Sequence, residues 1–211
     1  IRLATGLLTA GIAALAWRLT RPAGSLFVRV GAVALVLGVG TAMWAPRPLL
    51  FGLLFLGITL VVVQEQRLPL WILLPIFWFW VNTHGSFPLG LVAMGCLAVG
   101  ALLDGVSPRR ELLALAWAAG GTVAGAINPL GPTLLTFPIH MLDRQDLLSE
   151  IVEWQSPSFD SGWSRLFLLL VVAAIARRIT FVPPRARAQR ASGLLRVAVD
   201  LADIELTLAL I

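Results

Sequence analysis

The feature that most constrains this chain is its succession of long apolar runs separated by short polar breaks. The runs lie at about 3–17, 27–45, 48–64, 68–82, 86–104, 111–128 and 162–177. The breaks hold Arg21-Pro22, Pro46-Arg47-Pro48, Gln64-Glu65-Gln66-Arg67, Asn82-Thr83-His84-Gly85 and Ser107-Pro108-Arg109-Arg110. Clusters of proline, glycine and polar residues end helices and make turns. A run of roughly 20 apolar residues satisfies its backbone amides within one helix and spans a hydrocarbon core of about 30 Å. The pattern predicts an all-α fold: a polytopic integral membrane helix bundle of about seven spans.

Composition points the same way. Of 211 residues, 58% are hydrophobic and only 13% charged, against roughly a quarter in a soluble domain. Mean hydropathy is +0.89. So few polar side chains would not cover a soluble surface, which argues against a soluble enzyme, a disordered tail or a coiled coil. A net charge of +5 and a pI near 11.4 would suggest nucleic acid as the partner of a soluble chain. Here all 16 basic residues are arginines and they flank apolar runs, so topology explains them and no nucleic acid is expected.

Alternate breaks divide these charges unevenly. One face collects Arg18, Arg21, Arg29, Arg67, Arg109, Arg110, Arg177, Arg178, Arg185, Arg187 and Arg190, and the other only Arg2, Arg47, Arg144 and Arg165, or 11 against 4. The positive-inside rule makes the first face cytoplasmic. The expected organisation is a transmembrane bundle over 1–178, with an exoplasmic segment and interfacial helices at 129–161. A cytoplasmic Arg/Pro linker and an amphipathic or truncated final helix follow at 179–211. The apolar ends, Ile1 and Leu208-Ala209-Leu210-Ile211, read as those of an internal fragment. Cys96 lies in an apolar run and reads as a buried free thiol. Gly121 with Gly125, and Gly90, Gly95 and Gly100, read as thin places for helix packing.

The exoplasmic face gathers the unusual polar residues. In WVNTHGSFPLG (80–90), Asn82 and His84 close a hairpin behind a short fourth span that Pro75 is expected to bend. Gly85 is expected to turn with positive φ. An imidazole there can donate to a phosphate, act as a base or bind metal; the simpler reading is a histidine capping nearby carbonyls. INPLGP (127–132) ends a helix, and Asn128 either caps it or reaches the hairpin. Leu147, Leu148, Ile151 and Trp154 share one face of an expected surface helix. Glu150 and Glu153 are neighbours on that helix and, with His84, form a candidate site for a divalent cation, Mg or Mn. A solvated polar face is the plainer alternative. Arg47, between two prolines, suits a phosphate, a lipid headgroup or a structural carboxylate. Trp71, Trp78 and Trp80 read as an interfacial belt and packing.

The order APRPLLFGLLF (45–55), WVNTHGSFPLG (80–90), INPLG (127–131) and IVEWQSP (151–157) resembles a group of bacterial polytopic inner-membrane proteins similar to GT-C-type glycosyltransferases. The resemblance covers about 45–160. It implies transfer of a sugar from a polyprenyl-phosphate donor on the exoplasmic side. Arg47, Asn82, His84, Asn128, Glu153 and Trp154 match the group's motif positions and are the candidate substrate-binding residues. The catalytic acid of such enzymes lies in an earlier exoplasmic loop, so no catalytic residue is assigned. A transporter or flippase, and a structural membrane protein, remain alternatives.

Overall fold

A computed structural model describes residues 2–23, 25–39 and 48–142, with isolated positions 162, 165, 166, 168, 169 and 172. Among the described residues the chain is all-α, without strands. Seven helices follow in order: α1 Arg2–Leu19, α2 Leu26–Val39, α3 Leu49–Gln64, α4 Leu73–Thr83, α5 Phe87–Leu103, α6 Arg109–Ala124 and α7 Thr133–Leu142. Six of them fall on the first six apolar runs. The expected run at 162–177 and the surface helix at 147–154 lie outside the continuously described residues.

The helix ends have local causes. Helix α3 stops where Glu65 turns extended. Helix α5 ends at Gly105, with φ +71°, and Val106 N–H returns to Ala101 O; a left-handed glycine satisfying terminal carbonyls closes the helix. Two expectations at the fourth run are corrected. A 3-10 turn at Leu70–Ile72 precedes α4, and Pro75 falls in the first turn of α4, where no intrahelical N–H is needed; it starts the helix instead of bending it. Gly85 is not a positive-φ residue. The hairpin turns through an extended His84 and through Ser86.

Packing is centred on α4, which lies most extensively against α6; α1 lies on α3, α5 on α6, and α3 on α4. The core joins Leu60 and Val63 of α3, Phe77 and Trp80 of α4, Met94 of α5, and Ala114 and Ala118 of α6. Small residues permit these approaches. A Cβ at Gly121 would meet the Leu74 carbonyl oxygen, one at Gly125 would lie 2.8 Å from Val81, and one at Gly90 would lie 2.6 Å from the Phe77 and Trp80 rings. At Gly95, expected to be such a position, a Cβ would meet nothing within 4 Å among the described residues.

Among the described residues no helix is long and apolar enough to cross a membrane. Helix α1, the longest at 18 residues, carries Arg18 in its last turn. The others have 10–17 residues, and at 1.5 Å per residue each is shorter than a core of about 30 Å. Large apolar side chains, including Phe27, Leu89, Val92, Val99, Leu103, Leu112 and Val123, are nevertheless exposed around the bundle. Cys96 is exposed too, which corrects the buried reading. Its neighbours Met94, Leu97 and Ala98 take the inward face of α5, and the helical period leaves position 96 outside.

Candidate functional site

The α4–α5 hairpin builds a hydrogen-bonded network around His84. Trp80 is fully buried, so its indole N–H needs a partner; it donates to Ser86 Oγ at 3.1 Å. Ser86 Oγ lies 2.7 Å from His84 Nδ1, and the Ser86 backbone N–H donates to the same nitrogen at 3.1 Å. A nitrogen that accepts from a backbone N–H cannot carry a proton, so the relay runs Trp80 N–H to Ser86 O–H to His84 Nδ1. The ring proton is thereby placed on Nε2. The ring is half-buried, and burial pushes the imidazole below its ordinary 6.5. The result is a neutral histidine with an Nε2–H donor that has no protein acceptor among the described residues. Helix α3 closes over it: a Cβ at Gly52 would strike Ser86 Oγ and lie 3.5 Å from His84 Nδ1.

This geometry fits a donor better than a base or a ligand. A base needs a vacant lone pair, and Nδ1 is already in use. A metal on Nε2 would move the proton to Nδ1, where the Ser86 N–H already points, whereas metal-bound imidazoles donate from their other nitrogen. Among the described residues no group of His, Cys, Asp and Glu has the number needed to hold a metal ion. Glu150 and Glu153, the other candidate ligands, lie outside the described residues, as do Arg47 and Trp154.

Asn82 and Asn128 do come together, through the backbone. Asn82 Nδ2 donates to Trp78 O at 2.8 Å and to Gly125 O at 3.3 Å. Asn128 Nδ2 also donates to Gly125 O. Asn128 Oδ1 accepts from Leu130 N–H at 2.7 Å and from Gly131 N–H at 3.1 Å. Gly131 has φ +59°, so the Asn128–Gly131 turn is fixed by side chain and backbone together. These amides tie the end of α4 to the end of α6 beside His84. The Phe137 ring of α7 lies where a Cβ on Gly85 would sit at 3.4 Å. His140, the second histidine, is exposed on α7. Of the tryptophans, Trp80 is core and Trp71 is exposed.

The opposite end of α3 carries a second polar assembly, which sequence reading treated only as a topology signal. The Arg110 guanidinium donates to Val63 O and Val62 O at 2.9 Å, to Glu65 O at 2.8 Å and to Leu68 O at 3.1 Å. Arg18 pairs with the Glu65 carboxylate through Nε and Nη2. That hydrogen bond holds the Glu65 carboxyl below the usual carboxylate range. Arg29 donates to Trp17 O at 2.9 Å and lies 3.9 Å over the Trp17 ring. Glu111 is buried, and its Oε1 has no hydrogen-bond partner among the described residues. It stands at the third position of α6 behind Pro108, which has no N–H for the reciprocal bond of a capping box. The sequence signal for this assembly is Glu65, the lone acid in the five polar breaks. No protein-family model, no curated protein and no solved structure matches this chain.

Proposed function

We propose that the chain is the helical bundle of a polytopic bacterial inner-membrane protein related in activity to GT-C-type glycosyltransferases. In this reading the α4–α5 hairpin lies on the exoplasmic side and holds a polyprenyl-phosphate-linked sugar. The observation that carries it is the neutral, half-buried His84, held as an Nε2–H donor. Such a donor suits a phosphate or sugar oxygen and adds no charge to a low-dielectric site. The exposed apolar side chains support a lipid-facing surface, since patches of that kind mark contact with membrane or partners. The arginines at the other end of α3 support a cytoplasmic assignment for that end.

Transfer would break the bond between the sugar's anomeric carbon and the lipid phosphate. A bond from that carbon to an acceptor hydroxyl oxygen would form, the phosphate would leave with the lipid, and a base would take the hydroxyl proton. His84 would hydrogen-bond the departing phosphate; no described residue is assigned as the base. The test uses the full protein in proteoliposomes with a polyprenyl-phosphate-linked sugar. His84→Ala is expected to lower transfer at least tenfold, about the effect of one hydrogen bond to a charged group, with the fold intact. Undiminished transfer in that variant, or lipid translocation without any sugar transfer, would overturn the reading. The alternative of a structural membrane protein draws on Asn82 and Asn128, both committed to the Gly125 carbonyl. It predicts that Gly121 changes abolish function and His84→Ala does not.

A further inference from the structure

The end of the bundle remote from His84 contains a cleft to which the reading above gives no role. It has a volume of about 390 Å³ and is lined by Arg18, Arg21, Gln64, Glu65, Gln66 and Arg67. Three guanidinium groups face one carboxylate there, which leaves a net charge of two positives. The single carboxylate is already engaged: Glu65 pairs with Arg18 and stands 4.0 Å from Arg21. The Arg21 side chain is 66% exposed, and Arg67 has no carboxylate partner among the described residues.

The wall of the cleft is fixed from behind. Arg110 holds the carbonyls of Val62, Val63, Glu65 and Leu68, so the segment bearing Gln66 and Arg67 is braced at both sides. Arg18 is set in place by Glu65. A topology signal needs only charge near the interface; a braced cleft with an exposed Arg21 fork that Glu65 reaches only at 4.0 Å, an Arg67 fork without a carboxylate partner among the described residues and two glutamine amides is more than that requires. Planar guanidinium donors match the paired oxygens of a phosphate. We infer that this cleft binds a phosphate group through Arg21 and Arg67, presented either by an anionic lipid headgroup or by a soluble phosphate compound.

Protein in neutral-detergent micelles would be titrated separately with inorganic pyrophosphate and with phosphatidylglycerol, with zwitterionic phosphatidylcholine as the comparison of zero net charge. Binding in the pyrophosphate arm assigns a soluble source, and binding only of phosphatidylglycerol assigns a lipid one. In the arm that binds, Arg21→Gln with Arg67→Gln is expected to weaken affinity at least tenfold, as removal of charge-assisted hydrogen bonds does. Arg109→Gln removes a charge at the same end but outside the cleft, and should leave affinity within about twofold, as a screened surface charge does. Glu65→Gln, which releases Arg18, should tighten binding. Failure of the parent in both arms, unchanged affinity in the double variant, or an equal loss in Arg109→Gln would overturn the inference.

Discussion

Arg110 donates to the Glu65 backbone carbonyl at 2.8 Å, while the Glu65 carboxylate pairs with Arg18. One residue thus joins the start of α6 to the end of α1 at the point where α3 ends. The last carbonyls of a helix have no intrahelical donors, and a guanidinium can supply several at once. Arg110→Met is expected to cost about 2–4 kcal/mol, the range for losing charged hydrogen bonds and orphaning their acceptors. Arg110→Lys should recover only part of this, because an ammonium lacks the planar fork. Thermal unfolding in detergent measures both; full rescue by lysine would show that charge alone matters.

The contact between α4 and α6 depends on a missing side chain. A Cβ at Gly121 would collide with the Leu74 carbonyl, which belongs to backbone and cannot swing away. Gly121→Ala should destabilise by about 1–3 kcal/mol, the usual cost of overpacking. Gly95→Ala, with nothing within 4 Å among the described residues, should be neutral or slightly stabilising through its better helix propensity. Equal effects in unfolding assays would refute this packing.

Ser86 serves two partners, the Trp80 indole and the His84 ring. Ser86→Ala leaves a fully buried indole N–H without an acceptor and should cost about 1–3 kcal/mol. Trp80→Phe removes the donor with it, so the double variant should be less damaged than the sum of the single ones. A double-mutant cycle reads that coupling; strict additivity would exclude the network.

Acid should weaken the fold through His84. Burial sets its folded pKa below the ordinary 6.5, so the unfolded chain binds the proton more readily. Stability from the neutral ring is complete above 6.5 and is lost as pH falls from there toward the depressed folded value. The loss from Glu65 belongs to a lower window, below its ordinary 4.5, because Arg18 favours its charged form. His84→Gln should flatten the upper window and spare the lower one. A pH series of melting temperatures checks this; a persistent decline just below 6.5 in the variant would contradict it.

Much of the backbone plan was legible in the sequence. Apolar runs bounded by Arg21-Pro22, Ser107-Pro108 and Asn128-Pro129 became α1, α5 and α6, because turn chemistry is local and the helical period is short-ranged. The close approaches at Gly90, Gly121 and Gly125 were legible too, since a residue without a side chain marks where a neighbour can enter. Alternating polar breaks put His84 and the larger arginine group at opposite ends, and α3 carries Gly52 beside His84 and Glu65 beside Arg110.

What each polar group does was decided only by the tertiary structure. Sequence made His84 a candidate base, donor or metal ligand; the Ser86 N–H and the buried Trp80 selected the Nε2–H donor. Asn128 was open to substrate or cap, and residues 125, 130 and 131 took up its side chain. The arginines read as equivalent charges, yet Arg110 grips backbone, Arg18 grips a carboxylate, and Arg21 and Arg67 line a cleft. Composition and period fix which residues are apolar and when the chain turns. The proton on a ring nitrogen, or the partner of a guanidinium, depends on atoms brought from distant parts of the chain, at distances that only packing sets.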